Sequence, residues 1–140
     1  TPTHATGEED GKEKGLTRLA HPGLLRRVIG GYFGLSPKIG RLIQEGTIEA
    51  YNLPEGVITS LYRDIAAGKP GTVSRVGIGT FVDPRLEGGK MNRITVDDLV
   101  EVIAIGGVEY LFYKALPIHV AFIRGTTADP DGNVTMEKEA

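Results

Sequence analysis

Residues 26–78, RRVIGGYFGLSPKIGRLIQEGTIEAYNLPEGVITSLYRDIAAGKPGTVSRVGI, decide the fold. Arg26 to Tyr32 reads as a short strand ending in Gly30-Gly31. Ser36 then stands as an N-cap with Pro37 at the first helical position. Ile39, Leu42 and Ile43 follow at i, i+3 and i+4, one face of a helix. Gly46 is a natural stop. Ile48 to Leu53, rich in large apolar residues and bounded by turn residues, is a second strand. Pro54 opens a second helix whose apolar stripe is Val57, Ile58, Leu61 and Ile65, and Gly68 and Pro70 end it. Thr72 to Ile78 is a third strand. Strand, helix, strand, helix, strand at these spacings predicts βαβ units with right-handed crossovers. The expected fold class is α/β: an open, mainly parallel sheet with flanking helices.

On either side the pattern changes. Residues 1–15 carry charge and glycine without periodicity and read as an extended or mobile lead-in. Thr80 to Arg93 also lacks periodicity, and a long loop inside a compact domain is usually functional or disordered. Thr95 to Leu99 suggests a brief helical turn with Thr95 as its N-cap. Glu101 to Ile105 and Val108 to Tyr113 alternate around Gly106-Gly107, which predicts a β-hairpin with a primed turn in the second half. Ile118 to Arg124 reads as a further buried strand with His119 packed inside it. Ala128 to Asn133 is a turn, and Val134 to Lys138 a short last strand.

The chain has 140 residues, 40% apolar and 24% charged, with net charge −2 and no cysteine. That length suits a single core, a chain of this size burying roughly 70% of its extended surface. The charge balance argues against a basic nucleic-acid footprint, and Arg26-Arg27 reads as local structural charge. Without cysteine there is no disulfide framework, thiolate zinc site or cysteine nucleophile. No apolar run reaches the roughly 18 residues of a membrane span, and the polar start is no signal peptide, so the cytoplasm is the expected location. Glycine, at 20 residues, is about twice its usual share. Ligands of open α/β sheets sit beyond the carboxyl ends of strands. Gly30-Gly31, Asn52 to Gly56 and Gly77 to Phe81 are all expected there, on one edge of the sheet.

Individual motifs are weak. Gly77-Ile78-Gly79 lacks the third glycine and the following helix of a dinucleotide fingerprint. Gly88-Gly89-Lys90 fails as a phosphate loop, because Pro84 replaces the first glycine and Met91 the magnesium-holding hydroxyl. In Asp129 to Asn133 the glycine comes too early for a calcium loop, so a surface turn is expected. His4, His21 and His119 share no metal-ligand spacing, and no metal site is expected; His21, before Pro22-Gly23, reads as a turn residue. Glu55 sits at a strand-to-helix turn, where favourable charge at a helix N-terminus would account for it.

Longer segments say more. HPGLLRRVIGGY (21–32), EAYNLPEGVITSLYRDIAAGKPG (49–71), VGIGTFVDPR (76–85), GGKMN (88–92), EYLFYKALPIHVAFIRGTTAD (109–129) and DGNVTMEKEA (131–140) together resemble the N-terminal, alpha-type domain of family I CoA-transferases. The likeness runs from about residue 6 onward, and its segments keep the family's order and spacing. It implies one partial N-terminal domain over residues 1–140. It implies an enzyme that moves CoA between a short-chain acyl-CoA and a carboxylate, such as acetate or a 3-oxoacid. In the family a glutamate attacks the thioester, an acyl-glutamyl anhydride and CoA thiolate form, and the thiolate returns to give a glutamyl-CoA thioester. That glutamate belongs to the family's C-terminal domain, so no catalytic nucleophile is expected here and that domain is an implied partner. CoA is implied as substrate, with no further cofactor.

The resemblance also assigns a half-site of Asn52, Glu55, Gly56, Gly77, Gly79, Thr80 and Phe81. The family turn at NLPEG usually reads Pro-Gln-Gly, its glutamine orienting the nucleophile and the oxyanion; this chain has Glu55, which donates no hydrogen bond unless protonated. Backbone amides around Gly77 to Phe81 would line the acyl pocket, with Thr80 and Phe81 shaping it. A homo-oligomer is expected, because a partial sheet leaves an unpaired edge and apolar surface. The alternative is a non-catalytic α/β binding or assembly module. A sugar-phosphate isomerase would need more than Asp83, Glu87 and Lys90 on one loop.

Overall fold

Adjacent residues of two short strands are buried on opposite faces, and this organises the molecule. In the computed structural model, which describes residues 1–4 and 11–138, β1 (Thr3–His4), β2 (Arg27–Gly30) and β3 (Glu49–Asn52) form a parallel sheet in that order. Val28 and Ala50 enter one apolar cluster, with Ile39 and Ile43 of helix α1 (Pro37–Gln44). Their neighbours Ile29 and Tyr51 enter the other, with Val57 and Ile58 of helix α2 (Glu55–Ala66). A period of two with both faces covered is how buried parallel strands behave. Arg27 pairs with Glu49, its register partner, and with Asp97, and lies 5.5 Å over the Tyr51 ring. It is the local structural charge the sequence suggested.

Both helices and the hairpin form where expected. Pro37 opens α1 after Ser36, but the buried Ser36 hydroxyl accepts a hydrogen bond from Thr17 (3.3 Å) instead of capping the helix. Strand β5 (Val100–Ile105) pairs with β6 (Val108–Lys114) around Gly106-Gly107, whose φ angles of 58° and 80° suit a primed turn.

The strand predicted over Thr72 to Ile78 does not join the parallel sheet. Strand β4 (Gly71–Ser74) stops early and pairs antiparallel with β6, giving a second sheet in the order β4-β6-β5. The reason lies at the free edge of β3, which the loop after β4 occupies. Asn52 N–H donates to Gly89 O (2.8 Å), Met91 N–H to Ala50 O (2.9 Å) and Ala50 N–H to Thr95 Oγ1 (2.8 Å). Thr95 is thus spent on the sheet edge, and residues 95–99 are irregular rather than helical. Asn92 completes the clip, its amide donating to the carbonyls of Ile43 and Ile48 (both 2.9 Å).

Residues 118–124 also depart from expectation. They form no regular structure and lie exposed, Phe122 at 98%, so His119 is exposed rather than packed. Among the described residues no strand pairs with this run, so its composition alone cannot make it a strand. The chain ends in β7 (Thr127–Ala128) and β8 (Val134–Thr135), an antiparallel pair around the Asp129 turn. At the N-terminus, Thr3–His4 is sheet rather than lead-in, and a 3-10 turn spans Gly15–Leu19. The mobile lead-in predicted for residues 5–10 lies outside the described residues. Among the described residues no helix is long and apolar enough to cross a membrane.

Candidate active site

Asn52 ends β3 at the carboxyl edge of the parallel sheet, and the loop over residues 75–94 folds onto it. Its side-chain amide donates to Gly31 O (3.0 Å), tying two of the predicted glycine-bearing turns together. The loop reaches Asn52 through Gly89, where φ is +75° and an added Cβ would lie 2.9 Å from Asn52 O and from Leu53 Cδ2. Only glycine brings backbone this close in that conformation. Asn52, Phe81, Glu87, Lys90 and Met91 then line an open depression of about 370 Å³. Lys90 pairs with Asp98 (2.5 Å) and holds that carboxyl below its usual range.

A second depression, of about 340 Å³, lies where α2 begins, lined by Pro54, Gly56, Val57, Ser60 and residues of β4 and Val76. Glu55 is exposed in the first turn of α2, and Gly56 O accepts the hydroxyls of Thr59 (3.0 Å) and Ser60 (2.9 Å). The predicted residues therefore divide. Asn52 and Phe81 share one depression; Gly56 lines the other, beside Glu55. Gly77, Gly79 and Thr80 line neither and form the turn leading to Phe81.

That turn is strongly constrained. The amides of Ile78, Gly79 and Thr80 donate to Arg75 O, Asp83 Oδ2 and Gly77 O, while those of Gly77 and Phe81 donate to no described residue. Gly77 backs onto Tyr113, whose hydroxyl donates to Val76 O (2.6 Å). Burial pushes the Tyr113 phenol up to about 12, so it stays a donor near neutral pH. Asp83, 1% exposed, receives the guanidinium of Arg85 at both oxygens (2.9 and 2.8 Å).

Glu87, Lys90 and Met91 line the depression at Asn52, whereas the sequence offered them only for isomerase and phosphate-loop readings that it did not support. The signal for their place is Gly88-Gly89, a backbone free to approach a strand end. Among the described residues no group of three or more His, Cys, Asp or Glu side chains is placed to hold a metal ion.

The Asp83 pair predicts an acid response. Arg85's hydrogen bonds, then the Gly79 amide, hold the Asp83 carboxyl well below the usual carboxylate range. A lowered folded-state pKa gives stability that is fully present above the unfolded value, about 3.9. That stability is lost as pH falls from there through the folded value. The urea midpoint followed by circular dichroism should therefore drop below about pH 4, and drop less in Asp83→Asn; equal acid sensitivity in both would contradict the assignment.

Residues 3–140 match the sequence model of a family described as Coenzyme A transferase. The caffeate CoA-transferase of Acetobacterium woodii is 49% identical over 130 residues, 93% of this chain and 25% of that protein. The acetate CoA-transferase YdiF of Escherichia coli K12 is 46% identical over 134 residues, 96% of this chain and 25% of that protein. A crystal structure of the E. coli O157:H7 acyl-CoA transferase YdiF, as a thioester complex with CoA, superposes with a TM-score of 0.90 at 43% identity, covering 97% of this chain and 28% of that one. The chain thus spans about a quarter of the length of these curated relatives.

Proposed function

Because the chain belongs to the coenzyme A transferase family, we propose that it is the N-terminal, alpha-type part of an enzyme moving CoA between a short-chain acyl-CoA and a carboxylate such as acetate or a 3-oxoacid. The observation that carries this reading is the continuous family match over residues 3–140. The names of two relatives, a caffeate and an acetate CoA-transferase, support a carboxylate as the acceptor class.

A glutamate carboxylate, assigned to the C-terminal domain, adds to the thioester carbonyl and expels CoA thiolate. The thiolate then attacks the glutamyl carbonyl of the anhydride and releases the first carboxylate. An acceptor carboxylate attacks the resulting glutamyl-CoA thioester and expels CoA thiolate, which attacks the acceptor's carbonyl in the new anhydride and releases the glutamate carboxylate. Residues of this chain supply the facing wall. The Gly77 and Phe81 amides are the donors left for a tetrahedral oxyanion, and Asn52, Gly79, Thr80 and Phe81 shape the acyl side. CoA acts as substrate, in the cytoplasm, with no further cofactor.

The exposed apolar run of Val120, Phe122 and Ile123 supports contact with the rest of the enzyme and with further copies. Size-exclusion chromatography of the 140-residue chain should show a species larger than a monomer; a clean monomer would count against that association.

The full-length enzyme given propionyl-CoA and acetate should form acetyl-CoA. No CoA exchange with any short carboxylate would overturn the proposal. Glu55→Gln tests the turn at the start of α2, where the substitution exchanges a negative charge for a neutral amide donor, the residue type usual at this turn of the family. A kcat raised about two- to tenfold is expected; a kcat lowered to that extent would show that the carboxylate itself is needed, and an unchanged kcat would remove Glu55 from the site.

A further inference from the structure

The Asp83 carboxylate receives four hydrogen bonds: from Gly79 N–H (2.9 Å), Arg85 N–H (3.0 Å), Arg85 Nε (2.9 Å) and Arg85 Nη2 (2.8 Å). An ionised carboxylate is acceptor-only, with about four lone-pair sites, so donors and acceptors match in number and kind. The backbone of the same residue fixes a second turn. Asp83 N–H donates to Thr80 O (2.9 Å), and Asp83 O accepts from Leu86 N–H (2.9 Å) and Gly88 N–H (3.1 Å). Gly89 N–H then donates to Phe81 O (3.0 Å). One buried residue therefore locks the turn carrying Phe81 to the turn carrying Glu87 and Lys90, the two sides of the depression at Asn52.

We propose that Asp83, held by Arg85, is a positioning residue for the transfer reaction. It sets the Gly77–Phe81 turn, whose remaining amides face the substrate, without touching the reacting atoms. The kinetic part rests on the CoA-transfer reading; the holding of the turn does not. Asparagine cannot substitute, because its NH2 would confront a pair of donors wherever it pointed. Glutamate's extra methylene would not fit a site with 1% exposure.

The test uses the full-length enzyme with Asp83→Asn, Arg85→Lys and, as a control, Glu109→Gln, which removes only Arg85's exposed partner. Asp83→Asn should lower kcat about 10²-fold, the loss a misplaced site can suffer, with KM for acyl-CoA within about threefold. Hydrogen exchange in peptides covering residues 77–89 should lose protection. Arg85→Lys, which keeps the charge but not the two-point contact, should lose about tenfold in kcat, and Glu109→Gln nothing. If Asp83→Asn does not fold, Arg85→Lys carries the same two readouts. Unchanged exchange would overturn the proposal whatever the rates, and so would lost protection with wild-type kcat. An inactive wild-type enzyme would sink the CoA-transfer reading, while lost protection in the variant would still support Asp83 as the holder of the turn.

Discussion

Leu111→Ala is expected to lower the unfolding free energy by about 2–5 kcal/mol, the range for truncating a buried leucine. Leu111 lies on the central strand of the antiparallel sheet with no exposed surface, in one cluster with Ile29 and Tyr51 of the parallel sheet and Ile58 of α2. The two sheets and the helix thus share a single core, and a cavity there removes contacts from all three. Against a typical total of about 5–15 kcal/mol, that loss is large. Phe122→Ala is the matched comparison: the bigger side chain is 98% exposed and should cost the chain studied alone under about 0.5 kcal/mol. Urea unfolding of both variants decides it. Equal losses would mean that Leu111 is not where the sheets join.

Gly89→Ala should act on the site as well as the fold. The new Cβ would sit in the left-handed region, costing about 1–3 kcal/mol, and 2.9 Å from Asn52 O. The strain can relax only by lifting the loop from β3. That breaks the Asn52–Gly89 hydrogen bond and opens the depression that Asn52 and Phe81 share. In the full-length enzyme kcat should fall about 10²-fold; wild-type activity with a wild-type midpoint would show that the close approach is not needed. Gly46→Ala, also at positive φ but with open space around its Cβ, isolates the conformational cost and should leave the reaction alone.

Local signals were legible in the sequence. The stripes of α1 and α2, their glycine and proline stops, and the Gly106-Gly107 hairpin depend on residues close in the chain. Strand pairing did not follow, because it depends on competition for edges. Residues 72–78 have the composition of another parallel strand, but Gly89, Met91 and Thr95 occupy the edge of β3. Residues 118–124 carry an apolar run that pairs with no strand among the described residues. The site was half legible for the same reason. Strand-end reasoning and family likeness single out Asn52 and Phe81, which share a depression, whereas the place of Glu87, Lys90 and Met91 beside them depends on one glycine's approach to a strand end. Asp83 looked like one acid among several on an irregular loop, and only its burial and its four donors set it apart.

Locating the covalent intermediate is the most direct test of the proposed division of labour, in which this chain would form the wall and another domain would supply the nucleophile. The full-length enzyme would be incubated with acyl-CoA, quenched, digested and mapped by mass spectrometry. The expected result is a CoA-mass adduct on a glutamate outside these 140 residues, retained at full yield in Glu55→Gln. An adduct on Glu55, or none on any glutamate while CoA exchange proceeds, would contradict the account.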